Sequence, residues 1–185
     1  MICGKLEECV SKELSGKHLS HCDNPRADCI ESSDARPKVK CEEKGKSYIL
    51  ENTAKKHVIH YHVDDGIIVP DKSVPEGTGK CDHLYIIKDE KPTAVLIELK
   101  GTSSEKALQQ LDSTLTLYRD FFKKCSKVYA RAVVVSAVPN IRATPSYTNL
   151  ARHLKSIGVG NIKIGERQFT EEDTKLPIEQ KGKKK

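Results

Sequence analysis

Two short runs of aliphatic and aromatic residues, at 84–87 and 94–99, lie on either side of the polar stretch 88–92. Two such runs joined by a short polar loop predict a β-hairpin. The second run is almost entirely apolar, which is typical of a central strand that is covered on both faces. We expect the rest of the fold to be arranged around this hairpin.

A helical pattern follows the hairpin. Leu108, Leu111 and Leu115 begin a series of apolar residues spaced three and four apart, which continues to Cys125 and predicts one long amphipathic helix. Thr102 and Glu105 have the spacing of a capping box, so we expect the helix to begin beside them.

The remaining pattern alternates between helical and strand periods. A short first helix is predicted over 4–15, and a later one begins near Ser146 and ends at Gly158. Candidate strands lie at 48–50, 58–63, 67–69, 131–138 and 161–164, with Asp65-Gly66 as a hairpin turn. This order predicts an α/β fold in which a mixed central β-sheet is flanked by helices.

The length of 185 residues predicts a single domain, which we place at 1–169. Within it, the polar stretch 17–46 contains two Pro-marked turns and is interpreted as an irregular insertion. Residues 170–185 have no periodicity and are interpreted as a disordered basic tail.

Charge gives only a weak indication of partners. The net charge of +6 falls to +2 without the four lysines of 181–185, so a surface that binds a polyanion has to be local. No apolar run approaches the roughly twenty residues of a membrane span, and the amino terminus does not resemble a signal peptide. We therefore expect a cytoplasmic protein that does not bind membranes.

Seven cysteines are present without a CxxC pair, which predicts reduced thiols. Five of them lie in the first 41 residues, near His18 and His21. Spacings such as that from Cys22 to Cys29 are loose for structural zinc, which usually takes its ligands in close pairs, so isolated thiols are favoured over a metal cluster.

Three charged residues occupy the open end of the predicted hairpin. If the turn is centred on Glu90, Asp82 lies across from Glu98, and Lys100 is on the diagonal. Facing carboxylates are destabilising unless a cation lies between them, and a hard divalent ion with oxygen ligands meets that need. A register shifted by two residues would instead pair Asp82 with Lys100 as an ordinary ion pair.

The combination of Asp82, then Glu98-Leu99-Lys100, then a helix that carries Gln110 resembles the PD-(D/E)XK nuclease superfamily. The segments KCDHLYII, LIELKG and ALQQL resemble small bacterial members of it. The resemblance covers about 80–137 and implies a restriction-endonuclease-like αβββαβ core. Cys81 replaces the usual proline, and the literal Pro70-Asp71 lies in a loop-like stretch, so Asp82 is preferred over Asp71.

The resemblance also implies an activity, the hydrolysis of DNA phosphodiester bonds by a Mg²⁺-dependent endonuclease, with RNA left open as a substrate. Asp82, Glu98 and the Leu99 carbonyl are then the Mg²⁺ ligands, and Mn²⁺ is expected to substitute. Lys100 is expected to orient or deprotonate the attacking water, and Gln110 to position the lysine or the water. Because cutting both strands often needs two sites, a homodimer is a further expectation.

Two alternatives remain. The same fold can serve as a non-catalytic nucleic-acid-binding or assembly module. In addition, His60, His62 and Asp64 resemble the HxHxDH motif of zinc-dependent metallo-β-lactamase-like hydrolases, although Asp65 stands where the last histidine belongs.

Overall fold

The computed structural model describes residues 1–17, 29–69, 71, 73–74, 77–101, 103–136 and 139–179. These residues form four α-helices and nine β-strands. The helices are α1 (Leu6–Leu14), α2 (Ser104–Leu117), α3 (Arg119–Phe122) and α4 (Pro145–Ile157). The strands are β1 (Ile30–Asp34), β2 (Lys38–Glu43), β3 (Lys46–Glu51), β4 (Val58–His62), β5 (His83–Ile87), β6 (Thr93–Leu99), β7 (Lys127–Val134), β8 (Ile162–Glu166) and β9 (Gln168–Glu172).

The strands form a large and a small sheet. The large sheet has six strands in the order β1-β4-β5-β6-β7-β8, and the small sheet has three in the order β2-β3-β9. In the large sheet, β1, β4, β5 and β6 are antiparallel neighbours, whereas β6, β7 and β8 run parallel. Parallel neighbours need long crossover connections, and here α2, α3 and α4 lie in them. The predicted α/β fold with a mixed sheet flanked by helices is confirmed.

Both faces of the large sheet are covered. Leu84 and Leu96 lie on the face that packs against the helices. Tyr85 and Val95 lie on the other face and pack against the small sheet through residues such as Leu50. Every residue of β6 is buried, as its apolar sequence predicts for a central strand.

The hairpin has the register that places the charged residues together. His83 pairs with Ile97 and Leu84 with Leu96, so the next position along brings Asp82 opposite Glu98. The alternative register, in which Asp82 would face Lys100, does not occur.

The helix after the hairpin begins and ends differently from the prediction. Ser103 is the N-cap, and its side chain accepts a hydrogen bond from the Lys106 amide at 3.3 Å. The expected cap, Thr102, lies outside the described residues. The helix stops at Leu117, and a break at Tyr118 separates it from α3. No helix in the described part of the chain is long and apolar enough to cross a membrane.

The prediction of an irregular insertion over 17–46 is wrong for much of its length, because β1 and β2 lie within it. In β2, Val39 and Cys41 are buried, whereas Lys38, Lys40 and Glu42 are exposed. The strand is at an edge of the small sheet, and its charged outer face hid the two-residue period in an otherwise polar segment. Residues 18–28 of this segment, with His18, His21 and Cys22, lie outside the described residues.

The prediction of a disordered tail from 170 is also wrong for 170–179. Strand β9 runs across the proposed boundary at 169 and pairs in parallel with β3. Glu171 and Leu176 are buried, and a short 3₁₀ helix follows at Asp173–Lys175. Parallel pairing with a distant strand leaves no local sequence signal, so composition alone suggested disorder. Residues 180–185 lie outside the described part of the chain.

Two other strand predictions need correction. The strand expected at 131–138 runs from Lys127 to Val134, and residues 137–138 are outside the described part. The stretch 67–69 does not form a strand, and Ile68 makes only isolated bridges, one to Asp64 and one to Ile2.

Charged residues hold the two sheets together from the inside. The guanidinium of Arg131, which is completely buried, forms an ion pair with Glu171. The second oxygen of Glu171 accepts a hydrogen bond from Lys163 Nζ at 2.9 Å, and the first accepts one from Tyr48 Oη at 2.7 Å. Arg131 and Lys163 belong to the large sheet, whereas Glu171 and Tyr48 belong to the small one. One carboxylate therefore pairs with two buried cations across the sheet interface.

Replacing Glu171 with alanine should strongly destabilise the protein, since it leaves Arg131 and Lys163 buried without a counter-charge. We expect the free energy of unfolding to fall by about 3–5 kcal/mol. The adjacent Glu172 pairs with Lys175 at the surface, so Glu172→Ala should cost at most about 1 kcal/mol. Urea denaturation of both variants measures the difference, and equal losses would contradict this account of the interface.

Candidate functional site

Asp82 immediately precedes β5 and lies, half-buried, at the open end of the hairpin. Its Oδ2 accepts a hydrogen bond from the Leu99 amide at 2.7 Å, which fixes the carboxylate against the end of β6. Burial raises the pKa of Asp82 to about 6. The Leu99 amide opposes that pKa shift, while the negative charge of Glu43, the last residue of β2, adds to it.

Glu98 lies on the same, helix-facing side of the sheet, with a relative exposure of 1%. Its Oε2 is buried and has no hydrogen-bond partner. Burial raises the pKa of Glu98 to about 9, and the negative charge of Asp82 raises it further. A buried acceptor atom without a partner is rare in folded proteins and calls for an explanation such as a bound ion.

Lys100 follows directly after β6. Its Nζ lies 3.6 Å from Glu98 Oε1, and about a third of its side chain is exposed. Its amide donates a hydrogen bond to the Val133 carbonyl at 2.8 Å, which ties the residue to β7. The ammonium lowers the pKa of Glu98 but does not overcome the effect of burial.

These groups fit a hard divalent cation. Two carboxylates converge at one end of paired strands, both have raised pKa values in the absence of an ion, and one buried oxygen is without a partner. Such oxygen ligands suit Mg²⁺, which is usually held by one or two carboxylates and waters. The structure assigns a role to the Leu99 amide, and the expected role of the Leu99 carbonyl as a ligand stays a prediction.

A cavity of about 680 Å³ lies beside the carboxylates. Lys100 and Gln110 line it together with Lys80, Lys106 and Asp64, whereas Asp82 and Glu98 are not among its lining residues. Lys100 is thus the member of the charged triplet that reaches from the buried carboxylates into the open space.

Gln110 lies at the cavity as predicted, but its contact differs from the expected one. Its Nε2 donates a hydrogen bond to the Lys80 carbonyl at 2.7 Å, so it holds the segment that leads into Asp82. The neighbouring Gln109 donates to Ser146 Oγ on α4 at 3.3 Å. Gln110 therefore acts on the approach to β5, and the expected contact with Lys100 or water is untested.

Sequence reasoning missed the ion pair between Lys80 and Asp64, which lies on the cavity wall with a separation of 2.6 Å. They meet because the Val63 amide bonds to the Asp82 carbonyl, which extends the pairing of β4 and β5 past the ends of the strands. Because the connection between β4 and β5 is long, the pairing of these two strands could not be predicted from the sequence.

The two other candidate arrangements are not assembled. Asp71 accepts a hydrogen bond from Ser73 and pairs with the amino-terminal ammonium at 2.6 Å, so it stabilises a turn. Pro70 lies outside the described residues. His60 and His62 lie on the face of the sheet towards the small sheet, whereas Asp64 is bound to Lys80. The set of His60, His62 and Asp64 is therefore not brought together as the zinc-hydrolase motif requires.

No disulfide joins any of the six described cysteines to one another, and Cys22 lies outside the described residues. Comparison with known proteins gives no further guide to the site, because no protein-family model, curated protein or solved structure matches this chain. Functional inference depends on the geometry of the charged residues themselves.

The raised pKa values predict a pH-dependent stability. Between about pH 6.5, above which the histidines of the unfolded chain have mostly lost their protons, and about pH 9, the folded protein keeps a proton on Glu98 that the unfolded chain has released, so the free energy of unfolding falls as the pH rises. At lower pH the raised pKa of Asp82 acts in the same direction, whereas the lowered pKa values of the buried His60 and His83 act in the opposite one. Glu98→Gln keeps the shape of the protonated form and removes most of this dependence. Relative to the unmodified protein, it should gain on the order of a few kcal/mol at pH 9 and little at pH 4.

Denaturant titrations in EDTA at several pH values test this expectation. Glu90→Gln, at an exposed position in the turn of the same hairpin, serves as the control and should leave the pH dependence unchanged. Equal pH dependence in Glu98→Gln and the unmodified protein would show that Glu98 ionises as an ordinary surface group.

Proposed function

We propose that this protein is a Mg²⁺-dependent nuclease of the PD-(D/E)XK type that hydrolyses phosphodiester bonds in DNA. The observation that carries the proposal is the unpartnered, buried Glu98 oxygen beside Asp82, with Lys100 reaching from the same place into a cavity. The elements α1, β4, β5, β6, α2 and β7 occur in the order of the αβββαβ core that the resemblance implies, with β1–β3 inserted between α1 and β4 and α3 between α2 and β7.

In this proposal, Asp82 and Glu98 hold Mg²⁺ or Mn²⁺ together with the Leu99 carbonyl. When bound, such an ion polarises a phosphate oxygen and lowers the pKa of a coordinated water. The Leu99 amide holds Asp82 Oδ2 through a hydrogen bond of 2.7 Å. In this proposal Leu99 therefore orients one metal ligand with its amide and supplies another with its carbonyl. Binding a cation also offsets the negative charge of Asp82, which adds to burial in raising the pKa of Glu98.

In this proposal, Lys100 is the residue that acts on the phosphate and on the attacking water in the cavity. Its ammonium is close enough to Glu98 to be held beside it, and exposed enough to meet a phosphate or a water in the cavity. It orients the attacking water and offsets the charge that develops on the phosphate as the P–O bond to the leaving oxygen breaks.

The cavity supplies the contacts for a nucleic-acid backbone. Lys100 and Lys106 add positive charge to its lining, and lysines that contact phosphates give sequence-independent affinity. The charge of Lys80 is balanced by its ion pair with Asp64. Gln110 supports this surface by holding the Lys80 carbonyl. Because the excess of positive charge outside 181–185 is small, this local group of lysines is the best candidate for the phosphate contact.

A second candidate function is a nucleic-acid-binding module without catalysis. Glu98 is 1% exposed, and neither carboxylate lines the cavity, which favours a scaffold in which Glu98 stays protonated and no metal is bound. On this alternative the lysines of the cavity bind phosphates, but no ion is held beside them.

Substitution of Lys100 separates the two candidates. For a nuclease, Lys100→Ala should lower the rate of plasmid or duplex cleavage in Mg²⁺ by at least about a hundredfold, because charge stabilisation in the transition state is lost. Binding of the same duplex in EDTA should weaken only slightly, since other lysines remain. Cleavage rates on gels and fluorescence anisotropy give the two readouts.

Lys91→Ala, at an exposed position in the hairpin turn, is the matched control and should cleave normally. Glu98→Gln should abolish cleavage and should leave the binding of duplex DNA in EDTA unchanged. If the purified protein binds duplex DNA but never cleaves it with Mg²⁺ or Mn²⁺, the binding module is the correct function.

A further inference from the structure

A second group of ligand-type side chains lies on the opposite face of the large sheet. His62 of β4 and His83 of β5 are direct cross-strand partners, and His60 lies one pleat away on the same face. The three imidazole centroids are 4.9, 5.1 and 5.8 Å apart. Three rings this close, on a face otherwise built from Val, Tyr and Leu residues, form a compact nitrogen-rich cluster.

An acidic residue is directed at this cluster by an irregularity in the sheet. Ile30 pairs with Tyr61 and Ser32 with His60, so Glu31 is the extra residue of a β-bulge in β1. A bulge re-aims a side chain, and it costs part of the ladder pairing, which is why bulges are common beside functional sites. Here it brings Glu31 Oε2 to 3.1 Å from His62 Nε2 and 3.4 Å from His60 Nε2.

The separations match those of ligands around one ion. For metal–nitrogen bonds of 2.0–2.1 Å in a tetrahedron, neighbouring ligand atoms lie about 3.3 Å apart. The contacts from Glu31 have this length, and His60 Nε2 lies 3.0 Å from His83 Nδ1. The ligand atoms of Glu31, His62 and His83 all lie within 4.8 Å of one another.

Hydrogen bonds alone do not satisfy all the contacts within this cluster. His60 Nε2 faces both His83 Nδ1 and the Glu31 carboxylate, yet a neutral imidazole carries only one N–H, which serves one of the two contacts well. Buried imidazoles in the neutral form are the species that binds transition metals. A cation at the exposed side of the cluster would be bound by the imidazole lone pairs that do not accept a hydrogen bond.

We propose that Glu31, His62 and His83 bind a divalent transition-metal ion of the Zn²⁺ class, with His60 fixing the orientation of the His83 ring. Imidazole nitrogen with one carboxylate is a ligand set for Zn²⁺ and its neighbours, in contrast to the all-oxygen set of Asp82 and Glu98. The contact of His60 with His83 Nδ1 is the kind of outer hydrogen bond that orients ligating histidines.

The exposure of the ligands allows an ion to enter. The side chains of Glu31 and His62 are 44% and 43% exposed, whereas His83 and His60 form the buried floor. Three protein ligands leave a fourth position for water or another donor.

Cys41 is near His60 and His83 but is a poor ligand. These three groups are all buried, so this inner set has no exposed member through which an ion enters. Burial also raises the pKa of the Cys41 thiol to about 12, which opposes the thiolate form that metals bind.

The proposed ion would link β1, β4 and β5 and does not depend on the nuclease proposal. Its test is Zn²⁺ titration of the full-length protein by calorimetry after chelator treatment, with elemental analysis of the dialysed product. The unmodified chain should bind Zn²⁺, and Glu31→Gln or His62→Gln should each weaken binding at least about tenfold. His153→Gln is the matched control, because His153 forms a similar half-exposed pair with Asp112 at 2.7 Å elsewhere in the fold.

Co²⁺ substitution gives a second readout of the ligand type. The Co²⁺ protein should show visible d–d bands but no thiolate-to-metal charge-transfer band. The d–d bands should disappear in His62→Gln. In the unmodified protein, Zn²⁺ should shift the imidazole ¹⁵N signals of His62 and His83 and leave those of His153 in place. This measurement keeps the test valid if a variant fails to fold.

The proposal is wrong if the unmodified chain binds no Zn²⁺, or if both variants bind it as tightly as the unmodified chain. Thiolate charge transfer that persists in His62→Gln would also overturn it, because the ion would then be held by cysteine.

Discussion

The buried carboxylate of Glu98 is the constraint on which the candidate site depends. An ionised carboxylate without a partner in the interior costs several kcal/mol, so the group either keeps its proton or shares its charge with a cation. The protein places Asp82 and Lys100 beside it, and these neighbours act in opposite directions on its pKa. The ammonium is 3.6 Å away and leaves one carboxylate oxygen without a hydrogen bond. An arrangement built only for stability would pair that oxygen or replace the residue with an apolar one.

The same protein shows what a completed buried ion pair looks like. Between the two sheets, both oxygens of Glu171 are engaged, by Arg131, Lys163 and Tyr48. Both oxygens of the buried Glu171 have partners, whereas Glu98 Oε2 has none. The incomplete shell around Glu98 is the observation on which the proposed metal site rests.

Alternation along the central strands separates two kinds of chemistry. Glu98 shares a face of the sheet with Leu96, which packs against the helices, whereas His83 lies on the face towards the small sheet, near Cys41. Oxygen ligands collect on the first side and imidazoles on the second, because successive side chains of a strand point to opposite faces. The two groups suit different ions, since carboxylate sets select Mg²⁺ or Mn²⁺ and imidazole sets select Zn²⁺ and related metals. One hairpin thus supports two independent proposals.

Local pattern predicted a large part of the fold. The hairpin register, the burial of β6 and the helix that ends before Gly158 follow from periodicity and turn chemistry. The convergence of Asp82 with Glu98 follows from that register. Local pattern failed where distant pairing decides the structure, as in β9, which looked disordered until its parallel partner β3 was known.

The second cluster was also beyond reach of the sequence. The alternation of His60 and His62 was visible, but Asp64 was taken as their carboxylate partner. The structure brings Glu31 to them instead, through a bulge in a strand that the polar composition concealed. A bulge changes the face of one residue without any regular sequence signal, so only the three-dimensional pairing identifies it.

The most direct test of the central claim is the position of a bound Mn²⁺ ion, from anomalous diffraction of crystals grown with that ion. The account predicts a peak between the carboxylates of Asp82 and Glu98, on the side of the Leu99 carbonyl. Ordered carboxylates with no anomalous peak between them, at an Mn²⁺ concentration that saturates a nuclease site, would contradict it.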